Sequence, residues 1–159
     1  MSTLYGLPPR SDARAHTLIL GSFPSEASLK AQQYYAHRQN QFWRIVGALI
    51  GQPLYEMEYE ARWSHVQAAG IAVWDVYATC EREGSLDSDI RLGVANDFAQ
   101  LRSWAPDLKR VCFNGQTAAK FQRLLTGMGH EVVVLPSTSP AYTLAFEKKL
   151  ARWRTLLTE

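Results

Sequence analysis

Cysteine is scarce in this chain. Cys80 and Cys112 are the only two in 159 residues, and they form no metal-spaced cluster. Without a secretory signal they make no disulfide framework either. Both thiols are therefore expected to be reduced, with no zinc and no iron–sulfur cluster. Long apolar runs are missing too: no stretch reaches the roughly 18 residues that a membrane-spanning helix needs. The opening "MSTLYGLPPRSDARAH" lacks the basic start and apolar middle of a signal peptide, so a cytoplasmic, soluble protein is expected. Neither GxGxxG nor a Walker loop occurs, which argues against a nucleotide phosphate cradle. An excess of one charge is absent as well. The net charge of +2 and the pI near 8.6 are too weakly basic to establish a nucleic-acid partner on their own.

What is present is an ordinary globular composition, 47% apolar and 20% charged, over a length that suits one domain, residues 1–159. Four short runs rich in branched residues read as buried strands: "HTLILGSF", "IAVWDVY", "RVCFNG" and "EVVVLPS". Helical spacing links Phe42, Ile45, Val46, Leu49 and Ile50. The same spacing recurs in Ile90, Val94, Phe98 and Leu101, with Asp87 or Ser88 as an N-cap. It recurs again in Ala118, Phe121 and Leu125, and in Phe146, Leu150, Trp153 and Leu157. Strands alternating with amphipathic helices imply an α/β fold, a three-layer α/β/α sandwich around a central, mostly parallel four-stranded sheet. Residues 1–14, with Pro8 and Pro9, are expected to wrap the surface. Lys148, Lys149, Arg152 and Arg154 read as a solvated helix face.

Such sheets bind ligands beyond the carboxyl ends of their strands. In "GSFPS", Gly21 permits a sharp turn, and Phe23 either stacks on a planar ligand or packs in the core. Asn114 ends a strand; its amide can read a nucleobase edge or satisfy the local backbone. Ser137, Thr138 and Ser139 suit a phosphate or an ordinary Ser-rich turn. "YYAHRQNQFW" gathers Tyr35, His37 and Asn40 ahead of a helix, where Asn40 is either an N-cap or a functional amide. Asp75 and Glu81 lie near the end of the second strand.

Taken in order, "LILGSFPS", "YYAHRQNQFW", "VCFNGQTAAKF" and "LPSTSPA" resemble motifs of the uracil-DNA glycosylase superfamily. The similarity is nearest to its mismatch-specific uracil/thymine branch and its hypoxanthine-DNA glycosylase group, and it spans Leu18 to Ala141. One place departs from the mismatch branch. Where that branch has a catalytic Asn in its first motif, this chain has Phe23, as the hypoxanthine group also lacks a polar residue there.

The resemblance implies a base-excision repair enzyme that flips a deaminated base out of DNA and hydrolyses its N-glycosidic bond. Hypoxanthine is the first choice of base; uracil or G/T-mismatched thymine is the alternative. It makes Asn40 the catalytic residue and assigns Ser22, Phe23 and Asn114 to the base. Ser137, Thr138, Ser139, Pro140 and Tyr142 go to DNA, with Pro140, Ala141 and Tyr142 as wedge candidates. Tyr35, His37 and Asp75 stand in support. A monomer without metal or cofactor, acting on damaged DNA, is expected. Two other classes remain open at this stage: a module that binds extruded bases without cutting, and a small-molecule α/β protein.

Overall fold

The computed structural model describes residues 2–157. In chain order the elements are β1 (Leu4–Tyr5), β2 (Thr17–Gly21), α1 (Glu26–Ala31), α2 (Phe42–Ile50), α3 (Tyr59–Ala68), β3 (Ile71–Asp75) and β4 (Tyr77–Glu81). Then come β5 (Arg91–Ala95), α4 (Leu101–Trp104), β6 (Arg110–Asn114), α5 (Gln116–Ala119), α6 (Gln122–Gly127), β7 (Glu131–Leu135) and α7 (Phe146–Leu157).

The four expected strands form one parallel sheet in the order β3-β2-β6-β7. Their side chains alternate between two cores, as the period of a strand requires. Ile19, Val73 and Cys112 face Trp43, Trp63 and Trp153 from α2, α3 and α7. Leu18, Leu20, Trp74, Val111 and Phe113 face Leu101, Ala118 and Leu125 on the other side. This is the three-layer α/β/α arrangement. Each large apolar side chain buried this way contributes about 1.5–3 kcal/mol, before the entropy of ordering is set against it.

The parallel register places Gly21 opposite Asp75 and Asn114 opposite Leu135. All four strands therefore finish at the same edge. β2 pairs with β3 on one side and with the later β6 on the other. The chain reverses its direction of travel across the sheet between β2 and β6, which is where a doubly wound sheet opens a crevice.

A second sheet, antiparallel and in the order β1-β4-β5, corrects the sequence reading of Ile90, Val94, Phe98 and Leu101 as one helix. Arg91–Ala95 is a strand paired with β4, and only Phe98 and Leu101 of that set are buried. The spacing mimicked a helix, but Gly93 lies in the middle of it. A Cβ at Gly93 would sit 2.6 Å from the ring of Tyr77 on β4, so the glycine admits the cross-strand aromatic. Asp87 caps no helix of that kind: it opens a single 3-10 turn, Asp87–Asp89. The early segment links the two sheets. Leu4 pairs with Cys80, Leu7 is buried, and Arg10 bridges to Val73.

Candidate active site

A cavity of about 280 Å³ opens at the shared strand edge. Six segments wall it: the tip of β2 with the start of α1, the stretch from Tyr34 to Asn40, the end of β3, the end of β6, the β4–β5 turn, and the loop after β7.

At the tip of β2, Gly21 is required by its neighbours. A Cβ there would lie 2.6 Å from Asp75 Oδ1 and 2.7 Å from the Tyr35 hydroxyl, so only glycine lets both groups reach the cavity floor. Ser22 Oγ donates to Asp87 Oδ1 at 2.7 Å, and the Ser85 hydroxyl accepts from the Glu26 amide at 3.0 Å. These bonds fasten the β4–β5 turn against the start of α1. Phe23 lines the cavity and is 7% exposed. Behind it the guanidinium of Arg82 lies 5.4 Å from the ring centroid and donates to the Pro24 carbonyl at 2.5 Å. Arg82 is buried, and its Nε and Nη1 have no hydrogen-bond partner among the described residues. A cation at this distance is attracted to the ring face and helps hold the ring in place.

The Tyr34–Asn40 segment is held by unusual backbone. Tyr35 has φ 54, a left-handed conformation costly for an aromatic residue and characteristic of ligand sites. Stacking compensates: its ring lies parallel to Phe42 with centroids 4.0 Å apart. Asn40 Oδ1 accepts from the Phe42 amide at 2.9 Å, just ahead of α2. This corrects its reading as the N-cap, which is Gln41: Asn40 stands one residue earlier and closes a local turn, while its Nδ2 donor has no protein partner among the described residues and the residue lies on the cavity wall. His37 Nδ1 accepts from the Gln39 amide at 3.1 Å, which leaves Nε2 as the proton-bearing nitrogen of the neutral ring.

Asn114 ends β6 with its amide already engaged. Nδ2 donates to the Tyr35 hydroxyl at 3.2 Å and to Thr138 Oγ1 at 3.1 Å, while Oδ1 accepts from the Thr138 amide at 2.9 Å. The free base-reading edge expected of Asn114 is thus reduced to one remaining lone pair on Oδ1. Thr138 differs from its expected place at DNA in a related way. It is fully buried, its side chain and amide are bound to Asn114, and its carbonyl accepts from the Gln41 amide at 3.0 Å. Thr138 lines the cavity beside Ser137 and Ser139, but its own polar groups are spent on fixing the loop. The Ser137 and Ser139 hydroxyls accept from the Ser139 and Ala141 amides, each at 3.1 Å. Tight Ser turns of this kind keep the hydroxyl protons available to a ligand.

Asp75 ends β3 at the cavity floor, 4% exposed. Its Oδ2 has no hydrogen-bond partner among the described residues. Burial pushes the carboxyl up to about 7, with nearby Asp87 adding to the effect and Arg82 opposing it.

At the rim, Tyr142 is 45% exposed and Pro140 and Ala141 are exposed beside it. Lys149 corrects the reading of a wholly solvated C-terminal face: it is 1% exposed. Its Nζ donates to the Ser139 carbonyl at 3.2 Å and lies 5.4 Å from the Tyr142 ring centroid. The signal was present in the sequence, because Lys149 falls between Phe146 and Trp153 at the spacing of the apolar stripe. Arg82 and the Ser85–Asp87 wall were missed because the antiparallel sheet that delivers them was not foreseen. Arg38 and Arg44 line a second groove together with Tyr142 and Lys149.

Fold and site together define an α/β protein with a switch-point cavity shaped for a flat ligand with polar edges and flanked by a groove containing arginine. The sequence pattern of the uracil DNA glycosylase superfamily matches residues 8–157. The chain is 41% identical over 151 residues to a protein from Methanosarcina acetivorans named hypoxanthine DNA glycosylase, covering 95% of this chain and 96% of that one. It is 36% identical over 148 residues to one of the same name from Methanosarcina barkeri, with 93% and 94% covered. A solution NMR structure of a candidate uracil DNA glycosylase from M. acetivorans superposes with a TM-score of 0.88 at 40% identity, covering 97% and 96% of the two chains. The chain therefore belongs to the uracil DNA glycosylase superfamily. It is a DNA glycosylase, a hydrolase of the N-glycosyl bond. Among the described residues, no helix is long and apolar enough to cross a membrane.

Proposed function

We propose that this glycosylase excises hypoxanthine from DNA, with Asn40 as the catalytic amide in place of a polar residue at Phe23. One observation carries the reading. Asn40 lines the cavity with its Nδ2 donor unclaimed while its Oδ1 is fixed by Phe42, and Phe23, on the same cavity, has no donor or acceptor at all. The two relatives named hypoxanthine DNA glycosylase support the choice of base.

The nucleotide must leave the duplex to reach this depth, at a cost of a few kcal/mol that a damaged pair lowers. Phe23 stacks on the extruded base, and the exposed Pro140–Tyr142 turn occupies the gap it leaves. As the bond breaks, the sugar gains oxocarbenium character, and Asn40 Nδ2 orients the attacking water or contacts the reacting nucleotide. Asn114 acts chiefly as a positioning residue through Tyr35 and Thr138, with its last Oδ1 lone pair left for the base. His37 presents its Nε2 proton at the cavity, and Ser137 and Ser139 receive the flanking backbone. The protein acts as a monomer on DNA in the cytoplasm.

A panel of duplexes tests this reading, each bearing hypoxanthine, uracil, xanthine or a G/T mismatch, incubated with enzyme and then nicked with alkali. The expected result is strongest cleavage at hypoxanthine. Equal or faster cleavage at uracil reassigns the substrate, and damaged-duplex binding without nicking on any member of the panel refutes catalysis.

A further inference from the structure

Two carboxylates, Asp75 and Asp87, line the cavity, and among its described lining residues there is no lysine or arginine. Such a site opposes a base that departs as an anion. It favours one that departs neutral after gaining a proton, and it stabilises positive charge developing on the sugar.

Asp75 is the group placed to give that proton. It closes β3 at the cavity floor, and Gly21 on the adjacent strand keeps its Oδ1 and the Tyr35 hydroxyl in one unobstructed space. Its Oδ2 is buried without a partner among the described residues, and an unpaired buried carboxyl is costly unless something else completes it. The groups around it come from three segments. Tyr34, Tyr35 and His37 precede α2, Asp87 stands on the β4–β5 turn, and Arg82 follows β4. Arg82 does not satisfy the carboxyl: it is turned onto Phe23 and the Pro24 carbonyl, and no ion pair joins it to Asp75 among the described residues.

Resting on hypoxanthine as the base, we propose that Asp75 is the general acid of the reaction, donating its carboxyl proton to N7 of the flipped purine as the bond between C1′ and N9 breaks. The bonding electron pair stays with N9 and is drawn into the imidazole ring by the proton arriving at N7. Hypoxanthine leaves as the neutral N7–H tautomer. Water adds to C1′, its surplus proton returns to the Asp75 carboxylate, and the sum is one water consumed for one base released. Purines carry an acceptor nitrogen in the ring that holds the scissile bond. Uracil, with N1 bonded to the sugar and N3 protonated, has none. The acid therefore also selects for purines.

Single-turnover excision from a hypoxanthine duplex, followed between about pH 5.5 and 9, tests the assignment. The wild-type rate should be level below a pH of about 7 and fall about tenfold per pH unit above it. Asp75→Asn should lose at least about 100-fold, and its residual rate should lack the falling limb. A duplex carrying 7-deazahypoxanthine, which has no N7 acceptor, should bind wild-type enzyme and resist excision. The proposal is overturned if Asp75→Asn stays within about threefold of wild type, if it keeps the same alkaline limb, or if 7-deazahypoxanthine is excised at the hypoxanthine rate. A melting curve shows whether Asp75→Asn folds; if it does not, the 7-deaza duplex with wild-type enzyme decides alone. Wild-type enzyme inert on hypoxanthine at every pH overturns the substrate reading and this proposal with it. Wild-type activity matched by Asp75→Asn overturns the acid alone.

Discussion

Asn114 donates from Nδ2 to the hydroxyl of Tyr35 at 3.2 Å, joining the end of β6 to a residue held in left-handed backbone. The same amide holds Thr138 through two further bonds, so one side chain fixes both the segment before α2 and the loop after β7.

Asn114→Ala should leave the Tyr35 hydroxyl and the Thr138 amide with no protein partner in a buried setting. The expected cost is about 1–3 kcal/mol of stability, together with a fall in excision, because Asn40 and Ser139 lose their common anchor. Chemical denaturation and single-turnover kinetics on the same preparation check both. Tyr35→Phe, which keeps the ring stacked on Phe42, should lose about 1 kcal/mol or less.

Asn40→Ala separates the turn bond from the catalysis. Loss of the bond to the Phe42 amide should cost about 1 kcal/mol of stability. Loss of Nδ2 should slow excision by about 100- to 1000-fold while damaged-duplex binding persists. A mutant that melts lower and excises at the wild-type rate would reduce Asn40 to a turn residue.

Asp75 carries a stability signature independent of its chemistry. Its carboxyl titrates near 7 in the folded chain, against an ordinary value of 3.8. The folded state therefore holds the proton more tightly, and the stability this contributes is present in full below about pH 4. It is lost as pH rises through 7. Asp75→Asn should melt close to wild type at pH 4 and above it at pH 8, by a margin on the order of 2–4 kcal/mol. Thermal melts across that range check the sign, and such a gain in stability from removing a functional group is a common trade.

Lys149→Met keeps the buried stem and removes the ammonium that holds the Ser139 carbonyl. Burial lowers the pKa of that ammonium, so its removal should leave melting nearly unchanged. Affinity for a damaged duplex should fall by roughly threefold to tenfold, the equivalent of about 1 kcal/mol of lost loop ordering. Fluorescence anisotropy with a labelled duplex measures it.

The parallel sheet was legible because each of its strands is a short run of branched and apolar residues, wholly buried in β2, β3 and β6 and half-buried in β7. The antiparallel sheet was not. Tyr77–Glu81 and Arg91–Ala95 mix polar and apolar residues, and all of β5 is exposed, so no apolar run marks it. In the site, Asn40, Phe23 and the Ser-rich loop could be named from their order along the chain. The engagement of Asn114, the burial of Lys149 and the position of Arg82 behind Phe23 depend on pairings between distant segments, which spacing does not encode.

The stitching of the two sheets by the early segment has a consequence in time. Leu4 finds its partner only when Cys80 is available, and Arg10 only when Val73 is. During synthesis Leu4 must therefore wait, unpaired, until β2, β3 and most of β4 have been made. The central pair is later still, because Thr17 of β2 meets Arg110 of β6. Pairings so distant along the chain make folding slow relative to a helical bundle of this size. The cavity floor, which needs Gly21, Asp75 and Asn114 together, is among the last features to exist. A nascent chain stalled before β6 would carry the sequence of Asn40 and Phe23 and have nowhere to put a base.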